Sequence, residues 1–359
     1  MSENRVAQKY LADAINNNDF TIAILPTGYG KTTFFKHNAN LITTKTVHVL
    51  PLQAIVQQFY QEMKNVLKDQ VGYQMALQIS EGDKRPYLSR KYMISTVDSY
   101  TLDFYGIPVH EIFRSKWHSD LALLFARTSN VILDEFHLMA TVDSENAKKE
   151  FVKVIEIFDH IIGSVSELGL KTTILTATLS PSLILKLVNS KYSKKGIIIL
   201  APENHTFVSW LKNRGVSITP VWEVKKDSFI SAFSNYTKRV KTSIISTNNT
   251  QWIKDVVDII NSHRGSRILV ILNHTKRVLE LSNKLQGECV FIHGLFGDNS
   301  KARFVQNLNQ KKYNCVIATQ VIEAGVDIDF DVLITDVAPA YSLIQRAGRV
   351  LRDPNRNDN

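Results

Sequence analysis

Thr21-Ile22-Ala23-Ile24-Leu25-Pro26-Thr27-Gly28-Tyr29-Gly30-Lys31-Thr32-Thr33 is the stretch that decides the fold of this chain. An apolar run of strand length ends at Pro26, a glycine-bearing loop follows, and Lys-Thr opens a helical pattern. Strand, loop and helix in that order are what a phosphate-wrapping loop requires. Glycines let the backbone curl so that successive N–H groups face phosphate oxygens, and the helix start adds partial positive charge. Lys31 reaches terminal phosphates, the Thr32 hydroxyl suits magnesium, and Thr27, Gly28, Gly30 and Thr33 complete the loop. The strict G-x-x-x-x-G-K-T form fails, because Leu25 stands where its first glycine would be, and G-x-G-K-T remains. Without Lys-Thr, the same glycines would read as a plain turn between strand and helix.

Outward from this loop, Val47–Pro51, Tyr92–Thr96, Val131–Phe136 and Thr172–Thr178 repeat the short apolar run of Thr21–Pro26. Helical patterns separate them, which marks βαβ units and a mostly parallel sheet covered on both faces. The second half repeats the rhythm, with strands at Arg267–Leu272, Cys289–His293, Cys315–Thr319 and Val332–Val337 and helices at Thr275–Leu285 and Lys301–Asn309. Between Pro202 and Thr250 the alternation lapses into polar sequence that includes Lys238-Arg239-Val240-Lys241. The 359 residues suit two domains. The expectation is an α/β chain with residues 1–205 as the first domain and 206–359 as linker and second domain.

Hydrophobic residues at 44% and charged residues at 21% describe a soluble globular protein and exclude a disordered chain. No apolar run is long enough to span a bilayer, and Met1–Arg5 leads into no signal-peptide core. Cys289 and Cys315 have no metal-ligand spacing, which fits a reducing cytoplasm. The balance of 43 Lys+Arg against 34 Asp+Glu gives +9 and suits a polyanionic partner, although proteins that bind none carry such a balance too.

Val131-Ile132-Leu133 delivers Asp134-Glu135-Phe136-His137 at the C-terminal end of a strand, the edge at which open α/β sheets bind ligands. Adjacent carboxylates divide the work of phosphoryl transfer: Asp134 holds magnesium through its inner-sphere water, and Glu135 orients and deprotonates the attacking water. Standing alone, the four residues would read as an acidic strand end facing solvent; the upstream phosphate loop favours the chemical reading. Thr176-Ala177-Thr178 closes the next strand. There Thr176 and Thr178 relay a change at the nucleotide to the other domain, or simply pack.

Val316-Ile317-Ala318-Thr319-Gln320-Val321-Ile322-Glu323-Ala324-Gly325-Val326-Asp327-Ile328-Asp329 and Ser342-Leu343-Ile344-Gln345-Arg346-Ala347-Gly348-Arg349-Val350-Leu351-Arg352 are the most specific text in the chain. With P-T-G-x-G-K-T, D-E-F-H and T-A-T before them in that order, they resemble helicase superfamily 2. The wording A-T-Q-V-I-E-A-G-V-D-I-D-F-D, followed by A-P-A-Y-S-L-I-Q-R-A-G-R, resembles the helicase subunit of type I CRISPR interference systems in particular. The resemblance spans nearly the whole chain and implies two tandem RecA-like parallel-sheet domains with an inter-domain ATP cleft. It implies ATP and Mg2+ as cofactors, Gln8 as the residue that recognises adenine, and Asp327, following Gly325, at the ribose or bridging the cleft. Gln53 and Thr96 stand where the family's first domain touches the nucleic-acid backbone, and Asn273 and Thr319 stand at similar places in the second. Each could equally be a cap or turn residue. Gln345, Arg349 and Arg352 join Lys31 and Glu135 as implied catalytic residues. Phosphoryl transfer needs positive charge on the equatorial oxygens, which an arginine from a facing domain supplies on closure.

Many members of that family fuse an HD-type nuclease to the motor, whereas here Gln8 falls within the first ten residues and no His-Asp dipeptide occurs. The expectation is a split, type I-A-like arrangement with the nuclease on a separate polypeptide. Only Asp353–Asn359 follow the arginine motif, so the C-terminus reads as truncated. The expected activity is ATP-dependent 3′-to-5′ translocation on single-stranded DNA displaced by a CRISPR surveillance complex, with that complex and a separate HD nuclease subunit as partners. A superfamily 2 RNA or repair helicase and a non-catalytic nucleic-acid-binding fragment stand as alternatives, because backbone-gripping motifs leave the sugar open.

Overall fold

The computed structural model describes residues 6–75, 78–79, 87–108, 119–139, 147–188, 197–200, 205–215, 227–285, 287, 289–294, 296, 303–304, 307–308, 310, 312–323 and 328–350. The chain divides into two compact units, Met1–Ser228 and Phe229–Asn359.

In the first unit the strands are β1 (Phe20–Ile24), β2 (Thr46–Leu50), β3 (Val71–Met75), β4 (Gln78–Ile79), β5 (Tyr92–Thr96), β6 (Asn130–Asp134), β7 (Thr172–Thr176) and β8 (Ile197–Leu200). The helices are α1 (Val6–Asn17), α2 (Lys31–His37), α3 (Gln53–Leu67), α4 (Val97–Phe104), α5 (Ser119–Arg127), α6 (Phe136–Met139), α7 (Ala147–Glu167), α8 (Pro181–Val188) and α9 (His205–Lys212). Among the described residues the strands form one sheet in the order β4-β3-β5-β2-β6-β7-β1-β8, parallel except for the β3–β4 pair. Strands β1, β2, β5 and β7 are buried along their whole length. Their near-continuous apolar runs are what a sheet covered on both faces demands. Helix α3 shows the matching periodicity: Val56, Phe59, Tyr60 and Met63 are buried, at spacings of three and four.

The second unit holds α10 (Ser228–Thr237), α11 (Trp252–Ser262), β9 (Ile268–Ile271), α12 (Thr275–Leu285), β10 (Val290–Ile292), β11 (Cys315–Ala318), β12 (Val332–Thr335) and α13 (Ala340–Ala347). Its strands form a parallel sheet in the order β10-β11-β9-β12. Alternation along β9 feeds two separate cores. Ile268 and Val270 pack with Trp252 and Leu281 on one face, while Leu269 and Ile271 pack with Ile292 and Phe330 on the other. Each fully buried aliphatic or aromatic side chain of this kind contributes about 1.5–3 kcal/mol.

All nine strands expected from the sequence are present, with ends within two residues of those expected, and the fold is the expected pair of parallel α/β sheets. Strands β3, β4 and β8 were not anticipated, and the expected helix at 301–309 falls mostly outside the described residues. Cys289 and Cys315, which lack metal-ligand spacing in the sequence, are joined in a disulfide with their Cα atoms 4.6 Å apart. The parallel register of β10 and β11 pairs Val290 with Val316, so the residues just before them are brought side by side. Among the described residues no helix is long and apolar enough to cross a membrane.

One buried acid makes the first unit sensitive to pH. Gln74 of β3 accepts from the backbone N–H groups of Tyr87 and Leu88 and donates to Asp103 Oδ2 at 2.6 Å, while Asp103 Oδ1 is buried with no hydrogen-bond partner among the described residues. Burial pushes the Asp103 carboxyl up to about 7, against a smaller lowering by the Gln74 hydrogen bond. Between an unfolded value near 4 and this folded value, the folded chain holds a proton that the unfolded chain has released, so stability falls as pH rises through that window. Asp103→Asn, which keeps an acceptor for Gln74, is therefore expected to raise the thermal midpoint at pH 8 more than at pH 4. Each kcal/mol of relieved penalty is worth about 2–4 °C in a unit of this size, readable by circular dichroism melts.

Candidate nucleotide and nucleic-acid site

Sheet order gathers the chemistry. Strands β6, β7 and β1 are neighbours and parallel, with Asp134 beside Leu175 and Ile24 beside Thr176. Their C-terminal ends therefore share one edge of the sheet. The acidic pair, the Thr-Ala-Thr segment and the phosphate loop leave from adjacent positions on it, and Leu25 N–H donates to Thr176 O at 2.9 Å.

The loop bends through two left-handed glycines, Gly28 at φ 78° and Gly30 at φ 85°, a region that costs other residues about 1–2 kcal/mol. Tyr29 between them is fully buried, and α2 begins at Lys31. The Lys31 ammonium is buried, donates to Leu25 O at 3.3 Å and Pro26 O at 3.5 Å, and lies 3.7 Å from Glu135 Oε1. Thr27 and Thr33 are partly buried on the loop and the first turn. Gln8, on α1, donates from Nε2 to Tyr29 O at 3.4 Å, so the residue implied to recognise adenine touches the phosphate loop itself. Gly325, Asp327, Arg352 and the side chain of Thr32 lie outside the described residues.

Asp134 is fully buried at the end of β6. Its Oδ1 accepts from Glu135 N–H at 2.9 Å, and its Oδ2 lies 3.2 Å from His48 Nε2, whose Nδ1 is 2.6 Å from the Tyr92 hydroxyl. Burial, then the Asp134 charge, pushes the Tyr92 phenol well above its usual range, so it keeps its proton and donates. That assigns the tautomer: Nδ1 accepts from Tyr92 and Nε2–H donates to Asp134. A three-strand relay through β5, β2 and β6 thus fixes the orientation of the candidate magnesium carboxylate. Sequence reasoning missed His48 and Tyr92; a histidine inside the otherwise apolar run Val47–Leu50 was the available signal.

Glu135 adopts φ 53°, a left-handed conformation unusual for a side-chain-bearing residue, at the junction of β6 and α6. Strain held at such a junction marks sites where geometry matters more than stability. His137, two residues on, is held below its usual range mainly by burial, with the nearby Glu135 charge opposing. Its Nδ1 lies 3.0 Å from Thr176 Oγ1, which itself donates to Thr178 O at 2.6 Å. With its own proton committed, Thr176 accepts from His137, which ties the acidic motif directly to the Thr-Ala-Thr segment. His137 was another omission, quoted in the motif but given no role.

This donor set fits a magnesium nucleotide. Glu135 Oε2, Thr178 Oγ1 and His137 Nε2 are buried with no hydrogen-bond partner among the described residues, at the edge where the loop and Lys31 present positive charge. Buried polar atoms left unmatched cost about 1–3 kcal/mol each, which ordered water would relieve at Glu135 and His137 and a phosphate oxygen at the Thr178 hydroxyl.

The residues implied to grip nucleic acid are occupied to different degrees. Gln53 is exposed at the first turn of α3. Thr96 is buried and caps α4, accepting from Ser99 N–H at 3.4 Å. Thr319 is buried at the end of β11. Asn273 donates to Val337 O at 2.8 Å and accepts from Arg346 Nη2 at 2.9 Å. Gln345 is buried with its Nε2 unpartnered among the described residues, and Arg349 is buried with Nη2 donating to Glu323 O.

Arg346, passed over in the sequence reading, is the polar hub of the second unit. Fully buried on α13, it donates from Nε to Glu323 Oε1 at 2.7 Å and from Nη1 to Thr335 Oγ1 at 2.7 Å and Asp336 O at 3.2 Å. Its planar fork satisfies several acceptors at once, which a lysine ammonium cannot reproduce. Removing one partner of a buried pair leaves the other charge uncompensated, at a cost of about 3–5 kcal/mol. Arg346→Ala is expected to lower the unfolding free energy by that amount in urea titration, and Arg346→Lys to recover only part of it.

The comparisons with known proteins agree with this geometry. The description "DEAD/DEAH box helicase" matches residues 4–187, and "CRISPR-associated nuclease/helicase Cas3, C-terminal" matches residues 248–355. A CRISPR-associated nuclease/helicase Cas3 of Methanothermobacter thermautotrophicus is 30% identical over 101 residues, covering 26% of this chain and 12% of that protein. The structure of T. fusca Cas3 with AMPPNP superposes with a TM-score of 0.63 at 16% identity, covering 98% of this chain and 44% of the other. The Mycobacterium smegmatis helicase Lhr bound to ssDNA and AMP-PNP gives 0.59 at 19% identity, over 97% and 44%. The chain thus spans less than half the length of these solved structures. Those likenesses establish the fold, and the match across just over half of the sequence, seated on the phosphate loop and the acidic pair described above, places this chain in the DEAD/DEAH box helicase family.

Proposed function

We propose that this chain hydrolyses ATP to drive translocation on single-stranded DNA in CRISPR interference, beside a guide-RNA surveillance complex. The observation that carries the reading is the convergence of Lys31, Asp134 and Glu135 on one sheet edge, with Glu135 Oε1 3.7 Å from the Lys31 ammonium. In this reading the loop amides and Lys31 bind the phosphates, with an entering phosphate competing against Glu135 for the ammonium. Asp134, aligned by His48, and Thr32 hold magnesium, which neutralises charge on the phosphate oxygens. Glu135 orients the attacking water and takes its proton. Gln345, Arg349 and Arg352 supply hydrogen bonds and positive charge to the transferring group, and Gly325 and Asp327 serve the ribose. The link from His137 through Thr176 to Thr178 carries a change at the phosphates along the sheet edge.

The C-terminal match to CRISPR-associated nuclease/helicases favours DNA as the track, and the net charge of +9 suits a phosphate backbone. Gln53, Thr96, Asn273 and Thr319 are assigned to that backbone.

Replacing Lys31 with Ala is expected to lower kcat for ATP by at least about 100-fold, and Glu135→Gln to do the same while leaving nucleotide binding intact. Steady-state phosphate release together with equilibrium nucleotide binding checks both; a Lys31→Ala protein that turns over normally removes the phosphate-loop assignment. Single-stranded DNA is expected to stimulate hydrolysis more than single-stranded RNA of the same length, and to lose its effect as salt rises. Preferential stimulation by RNA would transfer the protein to RNA remodelling, and binding without hydrolysis under any condition would make it a non-catalytic module.

A further inference from the structure

Tyr29 occupies the variable position of G-x-G-K-T, and its hydroxyl is not spent on the loop. It donates to Asp227 Oδ2 at 2.5 Å and accepts from Ala7 N–H at 2.9 Å. Asp227 Oδ2 also accepts from Val6 N–H at 3.0 Å. Both Tyr29 and Asp227 are fully buried. Helix α1 begins at Val6, and first-turn amides have no partner within their own helix. Here they find acceptors on two distant segments: the phosphate loop and the residue preceding Ser228, where the first unit ends. The carboxylate is also well placed to favour the positive end of the α1 dipole. Gln8 follows Ala7 and contacts Tyr29 O, so the same three-way junction sets where Gln8 stands relative to the loop.

We infer that Tyr29 and Asp227 are positioning residues for the nucleotide: they lock α1 to the phosphate loop and thereby fix the spacing between the base-reading glutamine and the phosphate cradle. The inference rests on the ATP reading above. Neither residue meets the reacting atoms, so its signature is in affinity and base choice rather than turnover. Loss of the lock lets α1 shift against the loop, and a base held by Gln8 no longer lies in register with phosphates held at Gly28–Lys31.

The test uses the full chain with fluorescently labelled ATP and GTP, equilibrium anisotropy, steady-state hydrolysis and thermal melts. Tyr29→Phe removes only the hydroxyl. It is expected to weaken ATP binding about tenfold, raise KM in parallel, leave kcat within about twofold and narrow the preference for ATP over GTP. Asp227→Glu keeps the charge but moves the carboxylate outward by one methylene, and is expected to lose affinity in the same way. Asp227→Asn keeps an oxygen in the accepting position, and is expected to bind ATP within about threefold of wild type, so the Glu and Asn pair carries the test if Tyr29→Phe does not fold. Wild-type affinity and base preference in folded Tyr29→Phe or Asp227→Glu would overturn the inference while leaving the ATP reading intact. So would losses confined to kcat and melting temperature, or a failure of Asp227→Asn to rescue. Wild-type protein that binds neither nucleotide would overturn both.

Discussion

Parallel pairing of β6, β7 and β1 is the constraint on which the candidate site depends. Parallel strands send all their C-terminal ends to one edge, so three segments spread along the chain from Leu25 to Thr178 converge without any loop having to reach across the sheet. The cost of that arrangement is burial on both faces, which is why β1 and β7 carry apolar and threonine side chains throughout. Polar groups within the strands can be matched across the sheet, as in the relay from Tyr92 through His48 to Asp134. Register and chemistry are therefore a single property of this sheet.

What the sequence made legible was whatever is local. The phosphate loop, the acidic pair and the Thr-Ala-Thr segment are runs of adjacent residues whose spacing carries their chemistry, and nine strands were readable as short apolar runs. Long-range polar matching left no such trace. His48 looks like a defect in a strand until the sheet brings Asp134 beside it, 86 positions away in sequence. Arg346 was hidden among neighbours with implied catalytic roles. Strand β3, Val-Gly-Tyr-Gln-Met, carries a glycine and a glutamine that weaken the strand signal, and its glutamine is needed to cap the backbone at Tyr87 and Leu88. The disulfide was illegible for a related reason: a separation of 26 residues says nothing until β10 and β11 are seen to be adjacent.

Arg346 and Arg349 both sit in a buried environment and both touch Glu323, one through its carboxylate and the other through its carbonyl oxygen. Arg346 is saturated by acceptors of its own unit, so it shapes the surface from which its neighbours act. Three residues later the same side chain is read as part of phosphoryl transfer. Residue type does not separate the two, since guanidinium groups remain charged in either setting.

The junction of Tyr29 with Asp227 closes a span of 198 residues, which bears on how the protein is made. At a synthesis rate of about 5–20 residues per second, the segment that must meet Tyr29 follows it out of the ribosome by roughly 10–40 s, during which the first-turn amides of α1 have no native acceptor there. The phosphate loop emerges among the first elements and is completed among the last. In a nascent chain the lock between α1 and the phosphate loop therefore forms only after Asp227 has emerged.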